Sequence, residues 1–163
     1  MINLKHSLAA TVLWLFVVVL GIAFGAGLYE HRVMLPRWLD VSGARWSAEA
    51  ARQDNVGLRF WAFVSTGPLT LLTLVSLYFA SQSSGPLRGW WLGAALAALA
   101  DRLLTFSYFI PTMVRLMQMP DGAAAVETAT SWARMNHLRH ALVAGAWVAA
   151  LQALSWLRWR SGA

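Results

Sequence analysis

The chain has 163 residues, of which 58% are hydrophobic and 12% charged, with ten tryptophans and a formal net charge of +6. Ordinary soluble domains are about 25% charged, so this balance points to a chain whose solvent is largely lipid. The absence of cysteine excludes disulfides, thiolate metal sites, iron–sulfur ligation and c-type haem attachment. The excess of arginine is assigned to interfacial flanks of apolar segments, because no basic run is interleaved with aromatics as a nucleic-acid surface requires.

Four segments, near 7-29, 58-81, 89-116 and 130-157, reach the roughly 20 apolar residues that a membrane-crossing helix needs. They predict an all-α, integral membrane four-helix bundle in one domain, 1-163, with one interfacial loop between the first and second spans. The first segment follows Lys5 and His6, the latter read as interfacial, and closes on Gly25-Ala26-Gly27. Its apolar run exceeds that of a signal peptide, so a retained span is expected. In the loop from 32 to 57, Pro36, Trp38, Trp46 and charges of both signs suit the headgroup level, and Ser47 is placed to cap a short helix. The second connection, Ser81-Gln82-Ser83-Ser84-Gly85-Pro86, reads as a tight polar turn; the third, 118-128, holds Pro120-Asp121-Gly122 and then a helix start.

With four spans the termini share a side. Lys5, Arg88, Arg158 and Arg160 mark that side as the cytoplasm of a bacterial inner membrane, against Arg32, Arg37, Arg45, Arg52 and Arg59 on the other. Small residues let membrane helices approach, so Gly21 and Gly25, then Gly93 and Ala97, then Ala141, Gly145, Ala149 and Ala153 are expected to mark the contact stripes. Asp101 and Thr105 continue the third-span stripe, and His137 precedes Ala141 by four residues. Glu30 and His31 end the first span, Arg59 begins the second, Tyr108, Thr112 and Arg115 approach the same side in the third, and Asn136, His137, Arg139 and His140 open the fourth. Ionisable groups therefore gather at one end of the bundle, whereas the other carries anchors such as Trp90, Trp91, Trp156 and Trp159.

Several chemistries are open to this cluster. Asp101 is either paired with an Arg or His of another span, with Arg102 snorkelling to the interface, or is a buried proton acceptor. His31, His137 and His140, with Glu30, are candidate ligands for a transition metal, and two facing imidazoles are candidates for haem. Arg139 and Asn136 could hold an oxyanion by charge-assisted hydrogen bonds while a neutral histidine takes its proton. Pro68 and Pro111 each remove a backbone donor inside a span and are expected to free the carbonyls of Val64 and Ser107.

Gly25-Ala26-Gly27-Leu28-Tyr29-Glu30 with Pro36 soon after, Tyr108-Phe109-Ile110-Pro111 in the third span, and Trp132 with Asn136, Leu138 and Arg139 in the fourth resemble the small four-helix membrane family of unknown function that includes the fungal anthrone oxygenases. The resemblance covers the whole chain in segment number, length and order. It implies oxidation of an anthrone to an anthraquinone without a dedicated cofactor, and it carries over Trp132, Asn136 and Arg139. His31, His137 and His140 are not among the positions carried over, and they leave the question of a cofactor open.

These observations lead to an expected function: base-assisted oxidation of a phenolic or enolic lipophile in an intramembrane pocket, with membrane lipid as the other partner. In this reading His140 or His31 takes the proton and Arg139 and Asn136 hold the oxyanion. Trp132 and Tyr108 sandwich the ring, and Glu30, Arg59, Asp101, Thr105 and Thr112 line the site. A haem- or metal-binding membrane protein and a non-catalytic helper or small-ligand carrier are the alternatives, and homo-oligomer formation is left open because lipid-facing and protein-facing surfaces are both apolar.

Overall fold

The computed structural model describes the backbone from residue 2 to 162 and side chains from 7 to 157, so the side chains of Lys5, His6, Arg158, Trp159 and Arg160 lie outside the described residues. Among the described residues four helical segments are long and apolar enough to cross a membrane: Ser7–Trp38, Gly57–Gln82, Gly85–Leu116 and Ala123–Leu157, here the first to fourth spans. The first, third and fourth have 32, 32 and 35 residues. At about 1.5 Å per residue each exceeds the roughly 30 Å of a hydrocarbon core by several turns. The helices therefore run on past the sequence-based span bounds at 29 and 130.

The first span runs past its proline because the turn before it widens. Glu30–Met34 is a π-helical turn preceding Leu35-Pro36, Gly57–Thr66 precedes Gly67-Pro68, and Thr105–Phe109 precedes Ile110-Pro111. In each, the residue just before the proline donates five residues back: Leu35 N–H to the Glu30 carbonyl, Gly67 to Ala62, and Ile110 to Thr105. A proline ring in a regular α-helix strikes the carbonyl four residues earlier; an extra residue in the preceding turn moves that carbonyl aside. The prolines thus produce a register change in place of the simple release of the Val64 and Ser107 carbonyls.

The spans pack in a ring, the first and third each lying against both the second and the fourth. On the fourth span the buried positions Trp132, Asn136, Arg139, Val143, Ala146 and Ala150 alternate spacings of four and three; on the third, Leu87, Trp91, Ala94, Ala98, Asp101 and Thr105 do the same. This is the seam of helices that supercoil left-handedly. It corrects the expected small-residue stripes: Gly25, Gly93, Ala141 and Gly145 are exposed, Gly21, Ala97 and Ala149 half-buried, and only Ala153 fully buried. A row of fours advances by about 40° per step around a 3.6-residue helix, so it walks off a face that a 3.5-residue repeat follows.

Two apolar cores form along this ring. Leu13, Phe16, Leu20, Leu69, Trp91 and Ala146 belong to the one nearer the chain termini; Leu35, Trp38, Trp46, Phe109, Leu116 and Trp132 belong to the other. The second core is closed by the connection between the first two spans. A two-residue antiparallel ribbon pairs Leu39 with Trp46 and Asp40 with Arg45, and the helix Ala48–Asp54 follows. Its N-terminus is capped as expected, the Ser47 hydroxyl accepting from Ala50 N–H at 3.2 Å, and Asn55 ends it in a left-handed conformation.

Trp38 and Trp46, the two tryptophans of this connection, are 2% and 1% exposed within the protein, and each indole N–H finds an internal acceptor, as buried tryptophans usually do. Trp38 Nε1 donates to Asp54 Oδ2 at 2.8 Å, and Trp46 Nε1 to the Leu116 carbonyl at 3.0 Å. Trp46 N–H donates to Asp121 Oδ1 at 3.0 Å and Arg52 to the Met117 carbonyl. The loop is a packed cap over one end of the ring.

Candidate functional site

Between the two apolar cores lies a layer of buried polar groups. Glu30 comes from the first span, Ser65 from the second, Asp101, Arg102 and Thr105 from the third, and Asn136 and Arg139 from the fourth; all are 9% exposed or less. Two carboxylates and two guanidiniums give the layer formal neutrality. That balance is what makes such burial tolerable, since an unpaired charge in an apolar interior costs several kcal/mol as an order of magnitude.

Asp101 is the hub. Its Oδ2 accepts from both Nε and Nη2 of Arg102, and its Oδ1 lies 3.6 Å from Arg139 Nε without a hydrogen-bond donor. Arg102 does not snorkel. Its Nη1 donates across to the second span, to the Ser65 carbonyl at 3.1 Å and the Ser65 hydroxyl at 2.9 Å. Of the two readings offered by the sequence, the structure shows pairing: Asp101 pairs with Arg102 of its own span, which was not expected, and stands 3.6 Å from Arg139 of the fourth.

Arg139 reaches from the fourth span into an aromatic setting. Its guanidinium carbon sits 4.8 Å from the centre of the Trp61 ring and 5.3 Å from that of Phe109, contacts in which a desolvated cation gains most. Glu30, buried on the first span, completes the layer. The widened turns supply most of this wall: Glu30, Trp61, Ser65, Thr105 and Phe109 all lie in them. Widened helical turns are frequent at functional sites because they re-aim side chains without breaking the helix.

The other expected site residues divide. Asn136 is buried, and its amide donates to the Trp132 carbonyl at 3.4 Å; Thr105 hands its hydroxyl proton to the Asp101 carbonyl at 2.8 Å. Both are thus tied to their own helices. Trp132 is buried, donating to the Phe109 carbonyl at 3.3 Å, and its ring meets Phe109 edge-on at 5.9 Å. Phe109 thereby takes the place beside Trp132 that a ring sandwiched against Tyr108 was expected to fill, and Tyr108 is only half-buried. Thr112 is half-buried, and Arg59 and Arg115 are exposed.

The imidazoles stand outside this layer, on the flank between the first and fourth spans. His31 and His140 are half-buried and His137 is exposed. His31 touches both others, with ring centroids at 4.7 Å from His137 and 5.7 Å from His140. The single hollow expected to hold imidazoles, guanidinium and carboxamide is divided into an inner charged layer and an outer histidine trio, because His137 shares the exposed face of Ala141 and not the buried seam. Among the described residues no group of three His, Asp or Glu side chains is placed to hold a metal ion. The imidazoles meet edge to face, at 65° and 88°, with no gap for a macrocycle between them, so the trio does not fit bis-histidine haem ligation.

Sequence reasoning passed over Trp61, Ser65 and Phe109 and misassigned Arg102. The available signals were weak: Ser65 is one of two adjacent hydroxyl residues, Ser65 and Thr66, just before Gly67-Pro68, and Trp61 lies one turn further back. Comparison of the chain with protein-family models, with curated proteins and with solved structures gave no match.

Proposed function

We propose that this chain is an integral membrane four-helix bundle of a bacterial inner membrane, termini in the cytoplasm, that oxidises an acidic lipophile of the phenol or enol class with dioxygen. The observation that carries the reading is the Arg139 guanidinium, buried between Asp101, Trp61 and Phe109 in the same layer as the buried Glu30. A cation fixed against aromatic faces in a dry site favours a flat, delocalised oxyanion over its neutral parent. A neighbouring carboxylate can take the proton whose loss creates that anion.

In this mechanism Glu30 replaces the histidines as the base, since the imidazoles lie on the outer flank. Proton removal from an activated methylene next to aromatic rings gives an enolate held by Arg139. The enolate is electron-rich enough to be attacked by dioxygen, and the methylene leaves as a carbonyl, its two hydrogens departing with the second oxygen atom as water. Trp132 and Phe109 shape the apolar wall. The resemblance of Trp132, Asn136 and Arg139 to the anthrone oxygenase family agrees with this chemistry, and neither a haem nor a metal ion enters it.

The test is dioxygen uptake by the purified protein in lipid nanodiscs, supplied with an anthrone-type ketone. Saturable uptake above the spontaneous rate is expected, falling about 100-fold or more in Arg139→Gln and in Glu30→Gln. Wild-type uptake in both folded variants, or no uptake by the wild type, overturns the proposal.

A further inference from the structure

The flank between the first and fourth spans takes no part in the proposed oxidation, yet it collects cations and hydrogen-bond donors. The seam is close there: a Cβ at Gly27 would stand 2.9 Å from His140 Nε2, and the His31 and His137 ring centroids are 4.7 Å apart. Arg32 directly follows His31, and Arg134 precedes His137 by three residues, so one arginine stands beside the seam on each span. Both are exposed, and among the described residues neither has a hydrogen-bond or ion-pair partner.

No acid is left over to balance them among the described residues at this end. Glu30 is buried in the charged layer, and the exposed Glu127, seven residues before Arg134, lies about 10 Å further out along the fourth span. The acids of the cap are engaged within it: Asp40 by Ser42 and Gly43, Glu49 by Arg52, Asp54 by Arg37 and Trp38, and Asp121 by Trp46 N–H. The depth suits a lipid headgroup. At about 1.5 Å per residue, Arg134 and His137 lie roughly 33 and 29 Å along the fourth span from Trp156, one hydrocarbon thickness away. From His137 towards Trp156 the exposed face turns apolar, through Leu138, Ala141, Gly145 and Val148, and a Cβ at Gly145 meets nothing within 4 Å. On the first span Leu28, four residues before Arg32, is exposed as well.

We propose that this flank binds an anionic phospholipid, its phosphate held by Arg32 and Arg134 with the His137 ring as a further donor, and an acyl chain lying along Ala141 and Gly145. A guanidinium presents paired N–H donors to phosphate oxygens, and clustered basic side chains at the edge of membrane spans attract anionic headgroups. A zwitterionic lipid carries its own cation into a place that already holds two guanidiniums. The apolar strip separates a lipid from free phosphate, which has nothing to lay along it. This rests on the membrane-spanning part of the proposed function and is independent of the oxidation.

The experiment titrates the detergent-purified full chain with phosphatidylglycerol and with phosphatidylcholine, reading bound lipid by native mass spectrometry, and repeats the first titration with inorganic phosphate present. One phosphatidylglycerol per chain is expected to bind about tenfold more tightly than phosphatidylcholine, without competition from inorganic phosphate. In the double variant Arg32→Gln with Arg134→Gln its affinity should fall roughly 10- to 30-fold, and Arg32→Lys with Arg134→Lys should restore most of it. A circular-dichroism melt at the wild-type temperature checks that the glutamine variant is folded, both positions being exposed. Arg88→Gln, at the other end of the bundle, should leave the affinity unchanged. Equal affinity for the two lipids, wild-type affinity in the folded glutamine variant, an equal loss in Arg88→Gln, or displacement by inorganic phosphate overturns the site. Selective binding by a protein that takes up no dioxygen keeps the lipid site and removes the oxidation; dioxygen uptake without lipid selectivity does the reverse.

Discussion

Replacing Asp101 by Asn tests the buried charge layer where it is most exposed to error. The substitution keeps the shape of the side chain and removes the anion shared by Arg102 and Arg139, the first bonded to it within the third span and the second 3.6 Å away on the fourth. With Asp101 and Arg102 essentially inaccessible to solvent, neither guanidinium can be rescued by water, and Glu30 alone is left to balance two cations. Breaking a buried pair in this way costs about 3–5 kcal/mol. At roughly 2–4 °C per kcal/mol for a chain of this size, the melting temperature is expected to fall by about 6–20 °C. Thermal unfolding followed by circular dichroism in one detergent gives the number. A double-mutant cycle with Arg139→Gln gives the partner: removing Arg139 as well should recover roughly 1–3 kcal/mol, because one stranded cation goes with it. A fall of less than about 1 kcal/mol, the range of exposed ion pairs, or strict additivity of the two substitutions, would refute the argument that Asp101 is the hub.

Three further outcomes follow from the geometry. Gly27→Ala should push the His140 ring aside, seen as a shift of its resonances and a loss of about 1 kcal/mol, whereas Gly25→Ala, where a Cβ meets nothing within 4 Å, should be neutral or gain up to about 1 kcal/mol of helix propensity; equal behaviour of the two would contradict the close approach. Trp46→Phe removes the indole donor from the Leu116 carbonyl, which keeps the Met119 N–H at 3.3 Å, and should loosen the cap by about 0.5–1.5 kcal/mol, read as faster proteolysis within 39-54, while unchanged cleavage would argue that the indole bond is incidental. The cap should also loosen in acid. Asp40 is held below its ordinary 3.8 by the Gly43 N–H and the Ser42 hydroxyl, and Glu49 below its ordinary 4.5 by Arg52 and Gln53. Carboxylates with depressed folded values stabilise above the ordinary range and lose that contribution as pH falls through the folded values. Hydrogen exchange of the cap should therefore rise below about pH 4 and rise less in Asp40→Asn; a pH-independent cap would contradict the turn geometry.

Much of this arrangement was legible in the residues. Four apolar runs announced four long helices because length and hydropathy are local properties, and Ser47 announced its cap because the bond it makes spans three residues. The gathering of Glu30, Asn136 and Arg139 towards one end followed from the order and length of the apolar runs, whereas Asp101 was read only as continuing the inward stripe of the third span. What escaped depends on contacts distant in sequence. Trp46 is buried by Leu116 and Asp121, 70 and 75 positions away, and nothing in 32-57 says that they are there. The inward register followed a 3.5-residue seam set by neighbouring helices, so His137 fell outside and Arg102, beside Asp101, fell inside. The widened turns could have been anticipated only as a possibility at each proline, since a proline equally well kinks or ends a helix.

The central claim is that the capped end of this helical ring holds a cation arranged to bind the anion of a lipophilic acid. It is tested most directly by equilibrium binding in nanodiscs of an anthrone-type ketone that can enolise and of its enol methyl ether, which has the same rings and no acidic proton. Saturable one-to-one binding of the first, weaker by tenfold or more for the ether and lost in Arg139→Gln, is the predicted result, tenfold being about 1.4 kcal/mol. Equal affinity for the ketone and the ether, unaltered by Arg139→Gln, would contradict it.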